Sequence, residues 1–260
     1  MIQIEHPCAE DLPQLRELWK AAFGDTDSYL DVFFSTAFSP DRCMGIYAEG
    51  RIVSAAYWMD CSIGQHPAAY IYAVATNEAH RGQGLCRKLM DAIHSRLSEK
   101  GYCGSILVPG DPVLRRMYGK MGYADFGGIW ECICASGPSA EALQRINKAC
   151  FAQLRRNFLP ENAVFQEGEG LALLDTLAEF YSGNQCLLTV AEGRILEFLG
   201  NPASLPAVVA GLGMAQAIVR MPGSDSFAMY RPLTLMDFPS YFAFAFDCLD
   251  GRPLMCYDRK

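Results

Sequence analysis

The residue types best suited to chemistry are concentrated in one stretch, Val74-Ala75-Thr76 and, after four polar or small residues, Arg81-Gly82-Gln83-Gly84-Leu85-Cys86. A strand-like run passes into a glycine turn and then into a helical stripe carrying Leu85, Leu89, Ile93 and Leu97. Such a bend aims consecutive backbone N–H groups and a helix N-terminus at one point, where the helix dipole adds the equivalent of about half a positive charge. The chemistry this implies is anion binding, and Gly82 and Gly84 let the backbone approach a bulky phosphate with no Cβ in the way. A GxGxxG fingerprint and a GxxxxGK[ST] loop both fail to fit, which disfavours NAD and nucleoside triphosphates.

The chain that must position this loop has 260 residues, a formal net charge of −7 and 51% hydrophobic residues. That composition predicts a sizeable core and argues against general nucleic-acid binding, which draws on clustered Lys and Arg. An anion site here has to be local, built from N–H donors rather than from a basic patch. The 11 cysteines are scattered without a CxxC pair, so no metal is expected and reduced thiols in a cytoplasmic setting are. No run approaches 18 apolar residues and the start, MIQIEHPCAEDLPQL, lacks a charged leader followed by an apolar stretch. Membrane spanning and secretion are therefore not expected.

Periodicity predicts a short strand at Ile2 and Ile4 and a helix with Leu12, Leu15, Leu18 and Trp19 on one stripe. A second helix comes next, from about 26 to 38, then strands over 44–49 and 52–59 joined by Ala-Glu-Gly-Arg, in which Gly50 can take a positive φ. Strand 70–76 leads into the glycine turn and its helix. A further strand ends at Pro109-Gly110-Asp111-Pro112, and Pro112 suits the first turn of a helix carrying Leu114, Met117 and Tyr118. Ser136-Gly137-Pro138-Ser139 is the best boundary, dividing the chain into domains 1–135 and 136–260. Beyond it, helices are predicted over 140–158, 170–182 and 203–212. Strands are predicted near 186–191, 194–199 and 215–221, in Ser226 to Arg231, and in Tyr241 to Phe246. Ala-Glu-Gly-Arg-Ile occurs at 48–52 and again at 191–195, and with the order of elements it raises a degenerate internal repeat.

On these residues the chain resembles the GCN5-related N-acetyltransferase (GNAT) family, whose acetyl-CoA signature is [RQ]xxGx[GA]. It reads here Arg81, Gly82, Gln83, Gly84, Leu85, Cys86, with Cys in the last small position. Met117-Tyr118-Gly119-Lys120-Met121-Gly122-Tyr123 is similar to the family's LYEKLGF helix end. The resemblance covers residues 1–134 and implies an α/β (α+β) fold with a mixed central sheet and flanking helices. It also implies acetyl-CoA as cosubstrate, bound by Val74 to Thr76 and Arg81 to Cys86, and direct attack by a small-molecule or peptide amine. Tyr118 would then protonate the leaving thiolate. A phenol with an ordinary pKa of about 10 stays protonated at neutral pH and can hydrogen-bond a sulfur leaving as a thiol of about 8.5. Asp111 stands where the family often has Asn.

The base that frees the amine is left open between Glu78, His80, Asp60, the carboxylate of Lys260 and a water chain. Arg87 and Lys88 are candidates for the adenosine phosphates. The aromatic run Trp19, Phe23, Tyr29, Phe33, Phe34 and Phe38 reads as core, with an acceptor pocket as the other reading. The second half has no His and no Arg-Gly-x-Gly loop. It reads as a smaller α/β domain that completes the sheet, walls the acceptor pocket or forms a homodimer. A catalytically silent acyl-CoA-binding regulatory module is the rival expectation to an N-acetyltransferase.

Overall fold

Alternating and amphipathic stretches of the first half fold as β1 (Ile2–Glu5), α1 (Leu12–Phe23), α2 (Asp27–Thr36), β2 (Cys43–Ala48), β3 (Arg51–Ile63), β4 (His66–Thr76), α3 (Leu85–Glu99), β5 (Gly104–Leu107), α4 (Pro112–Gly119) and β6 (Ala124–Ala135). The computed structural model describes residues 2–159, 162–223, 225–234 and 241–242. Helices α1 and α2 bury Leu15, Trp19, Leu30 and Phe33 against Tyr57, Tyr70 and Tyr72 on one face of the sheet. On the other face α3 buries Leu85, Leu89, Met90, Ile93 and Leu97 against Ile46, Trp58 and Ile71. The stripe of leucines at spacings of three and four is thus the face of α3 that fixes where its N-terminus sits.

The second half contributes β7 (Gln144–Ile146), α5 (Lys148–Phe158), β8 (Ala163–Gln166), α6 (Glu169–Leu177), β9 (Glu179–Gly183), β10 (Cys186–Ala191), β11 (Arg194–Leu199), α7 (Leu205–Gly211), β12 (Gln216–Pro222), β13 (Asp225–Pro232) and β14 (Tyr241–Phe242). All strands join one sheet, whose main path runs β1-β2-β3-β4-β5-β13-β6-β12-β11-β10-β9-β7. The pattern of this path is the same from either end. Strands β4 and β5 are parallel and linked through α3, and β11 and β12 are parallel and linked through α7. Antiparallel pairs lie outside both units. At the centre the halves exchange a strand: β13 pairs with β5 (Tyr230↔Ile106) while β6 pairs with β12 (Val219↔Cys132). One sheet therefore runs through both sides of Ser136, and the first half's β5 is covered by chain from the second.

The repeated pentapeptide makes the same turn twice. Glu49 and Gly50 have φ of 53° and 76°, and Glu192 and Gly193 have φ of 50° and 74°, the paired positive values of a type I′ hairpin. The two turns nonetheless join β2 to β3 and β10 to β11, which are not equivalent places in the strand order. The pentapeptide reports local turn preference, whereas the internal likeness of the halves is carried by the strand order.

Two predicted helices are shorter than expected. Residues 144–146 pair with β9 as a strand, and Asn147 accepts the Cys150 N–H at 2.9 Å, a side-chain cap that starts α5 at Lys148 rather than near 140. Likewise α6 ends at Leu177, and 179–183 pairs with β10. In both places an amphipathic stripe continued through a strand whose partner lies far away in sequence. The Tyr241 to Phe246 strand lies outside the described residues beyond Phe242.

Candidate active site

Ladder pairing between parallel β4 and β5 covers only Ala68 to Tyr70 against Gly104 to Ile106. Strand β4 runs on to Thr76 and β5 stops at Leu107, so the two part beyond Tyr70. A bulge deepens the divergence: Ala55 pairs with Ala75 and Tyr57 with Tyr72, leaving Ala73 and Val74 opposite the single Ala56, and Ala73 has φ of 47°. Backbone groups of β4 from Ile71 onward thus face a gap rather than β5, and an edge of this kind pairs with any ligand that offers amide groups.

Where β4 ends, Arg81 Nε donates to the Thr76 carbonyl at 3.2 Å and ties the turn to the strand. Gly82 and Gly84 both adopt left-handed backbone, at φ of 76° and 73°, and a Cβ on either would meet nothing within 4 Å. Their requirement is conformational, not steric. Gly84 is the N-cap of α3 and no side chain caps that helix, so its first N–H groups have no side-chain acceptor. These features frame a cavity of about 600 Å³ lined by Val74, Ala75, Thr76, Arg81, Gly82, Gly84, Leu85, Cys86 and Tyr118. Nine of the ten residues expected at the site are thereby brought together; Gln83 is exposed and is not among the lining residues.

A narrower slot of about 120 Å³ continues from this cavity into the gap between β4 and β5. The two share Phe23, Val74, Leu114 and Tyr118 as walls. Tyr118 stands at their junction, 6% exposed, and its hydroxyl has no protein hydrogen-bond partner among the described residues. Burial, and then the neighbouring Cys86 and Tyr123, push its phenol above the ordinary range, so it is protonated at any physiological pH. Burial also raises the Cys86 thiol to about 11. The slot is walled by Trp19, Phe23, Tyr70 and Tyr72, and among the described residues its one carboxylate is Asp25. Trp19 Nε1 donates to Asp25 Oδ2 at 2.7 Å, which fixes the carboxylate. Tyr29 and Tyr72 share a hydrogen bond at 2.6 Å.

Sequence reasoning misses Asp25; an Asp after a helix-ending Gly reads as turn punctuation, and no local signal says that the turn abuts β4. The other candidates divide between the cavity and places away from it. Asp60 accepts from the Tyr102 hydroxyl at 2.6 Å and lies 3.6 Å from Arg42, away from both cavities. Glu78 is exposed, whereas His80 lines the larger cavity with a buried Nδ1 that has no hydrogen-bond partner among the described residues. Lys260 lies outside the described residues. Arg87 also lines the larger cavity, and it donates to the Lys120 carbonyl at 3.0 Å, which braces the end of α4. Asp111 accepts the Leu114 N–H at 2.7 Å as the N-cap of α4. Of the aromatic run, Trp19 and Phe33 are 1% exposed core residues, and Trp19 and Phe23 also wall the slot.

A parallel pair that parts beside an uncapped, glycine-started helix defines an acyl-CoA N-acyltransferase fold. Residues 3–125 match the family model of an acetyltransferase (GNAT) domain, so the first half of the chain carries an N-acetyltransferase domain. No curated protein sequence matches the chain. Among solved structures it is similar to a GCN5-related N-acetyltransferase from Anabaena variabilis ATCC 29413 at 16% identity, covering 90% of this chain and 74% of that one with a TM-score of 0.74. A GCN5-related N-acetyltransferase from Kribbella flavida is similar at 17% identity, covering 89% and 71% with a TM-score of 0.69. Eis1 from Mycobacterium abscessus is similar at 9% identity, covering 90% and 74% with a TM-score of 0.64. The likeness in fold extends over both halves. Among the described residues no helix is long and apolar enough to cross a membrane.

Proposed function

We propose that the protein transfers the acetyl group of acetyl-CoA to a primary amine that enters the aromatic slot as an ammonium ion. The observation that carries this reading is the position of Tyr118, a wall of both the glycine-loop cavity and the slot. The Gly82–Gly84 turn and the first N–H groups of α3 suit a diphosphate, and the unpaired edge of β4 from Val74 to Thr76 suits an amide-bearing arm. At the far side Asp25 and the faces of Trp19, Phe23, Tyr70 and Tyr72 suit a cation, by charge pairing and by attraction to the ring faces. Asp25 draws the amine in and offers a proton acceptor. As the amine nitrogen, freed of one proton by Asp25, bonds to the acyl carbon and gives its second proton to solvent, and the C–S bond breaks, Tyr118 donates its phenolic proton to the departing sulfur and regains one from solvent.

A panel of amines assayed for CoA thiol release tests the reading. Tyr118→Phe is expected to lower kcat by about 10²-fold or more, with CoA affinity by calorimetry unchanged. Asp25→Asn is expected to raise KM for the amine and not for acetyl-CoA. Calorimetry that detects no CoA binding, or Tyr118→Phe turning over at the wild-type rate, would sink it.

A further inference from the structure

We infer that Arg231, which the second half delivers on the exchanged strand β13, is a positioning residue for Tyr118. The inference rests on the reading of Tyr118 as the proton donor, and its own support is a continuous set of contacts from Arg231 to that ring. The turn that ends α4 needs Gly122 in left-handed backbone at φ of 89°, and a Cβ there would lie 3.6 Å from Arg231 Nε. The arginine stem therefore lies across the turn that comes after Tyr118.

From there its head fixes the turn. Arg231 Nη1 donates to His94 Nδ1 at 2.7 Å. Because guanidinium can only donate, Nδ1 must accept, and the imidazole proton sits on Nε2. Nε2 then donates to the Tyr123 hydroxyl at 2.8 Å, and that hydroxyl shares a second hydrogen bond with Ser105 Oγ, also at 2.8 Å. His94 is 4% and Ser105 0% exposed, so the two hydrogen bonds of the Tyr123 hydroxyl are shielded from competing water, while the Arg231 end of the chain is half-buried. Burial, and then the charge of Arg231, hold His94 neutral with its pKa lowered to about 3, which keeps this tautomer in place. Tyr123 grips Tyr118 twice. Its N–H donates to the Tyr118 carbonyl at 3.2 Å, beside Met121 N–H at 2.8 Å, and its ring meets the Tyr118 ring edge-on with centroids 5.8 Å apart.

Among the described residues none hydrogen-bonds the Tyr118 hydroxyl, so its aim depends on the packing of its ring and carbonyl. Misplacing a reacting group by about 1 Å costs about 10²-fold in rate. Arg231 lines neither of the two cavities, yet it fixes Tyr123, which meets Tyr118 at both its carbonyl and its ring. This gives the strand exchange a consequence for the reaction: the second half sets the aim of a group in the first.

The test compares Arg231→Met, which keeps the stem and removes the donors, in the wild-type and Tyr118→Phe backgrounds of the full chain. The expected result is a fall in kcat of at least tenfold with KM for acetyl-CoA and calorimetric CoA affinity unchanged, and no further fall when Tyr118 is already Phe. Arg231→Lys, which restores charge and one donor, is expected to recover part of the rate, and it carries the same comparison if the Met variant does not fold. An equal fall in both backgrounds, a change confined to KM, or no fall at all overturns the positioning role while leaving the acid role standing. If Tyr118→Phe alone matches wild type, the acid role fails first and the inference falls with it.

Discussion

Tyr70 and Ile106 are the last register partners of the parallel strands β4 and β5, and the slot opens immediately beyond them with Tyr70 on its wall. Their pairing marks the point at which backbone hydrogen bonds stop holding the two strands together. Past that point lies a gap lined by the strands themselves and by side chains from α1, the α1–α2 turn and α4. The glycine turn and the first N–H groups of α3 lie toward one end of this gap and Asp25 toward the other, with Tyr118 walling both cavities.

Substituting Gly84 isolates the conformational demand of the turn from any clash. A Cβ at this position would have no atom within 4 Å, but φ is 73°, so Gly84→Ala carries about 1–2 kcal/mol of left-handed strain. Either the protein loses that much stability, or the turn relaxes and its N–H groups rotate away. Denaturant titration with and without CoA should show a weaker ligand stabilisation than wild type, with the largest loss for the nucleotide end of the ligand.

Thiol labelling reads the environment of Cys86. With its pKa raised to about 11, only about one molecule in 10⁴ is thiolate at pH 7, and labelling should quicken about tenfold per pH unit until pH approaches that value. Mass spectrometry of the labelled peptide should also show protection by CoA, because Cys86 lines the same cavity as the glycine turn.

The buried His94 makes stability depend on acid in a defined window. Its pKa falls from 6.5 to about 3 on folding, so between these values the unfolded chain binds the extra proton. Stability from this group is present in full above pH 6.5 and is lost as pH falls toward 3, at up to about 1.4 kcal/mol per pH unit. Urea midpoints measured across that range should fall less steeply in His94→Gln than in wild type.

A fragment ending at Ser136 should not fold alone. It would leave β5 without β13 and expose Tyr230's place beside Ile106, while β6 would lose both β13 and β12. Unpaired edges of this length invite association. Gel filtration of residues 1–136 should show aggregates or an expanded chain, and co-expression with 137–260 should recover a soluble complex.

The residues of the candidate site divide by how far their signals reach. Arg81 to Cys86 and the end of α4 at Met117 to Tyr123 were legible because turn, cap and stripe preferences act within a few residues. The same physics explains both Ala-Glu-Gly-Arg hairpins, whose Glu and Gly take positive φ at 49–50 and at 192–193 alike. Asp25 was invisible for the converse reason: a polar residue after a helix-ending glycine looks alike whether it faces solvent or, as here, a slot beside β4.

By itself, then, the sequence determined a glycine-started helix after a strand, a tyrosine at a helix end, and the mixture of elements around them. Only the tertiary structure decided that β13 enters between β5 and β6, that Asp25 and Tyr118 wall one slot, and that Arg231 reaches His94. The physical reason is range. Backbone conformation is set by neighbouring residues, but strand partners more than 100 residues apart, such as Tyr230 and Ile106, are chosen by which apolar faces the whole sheet can bury and which backbone groups it can pair, and no short window of sequence contains that choice.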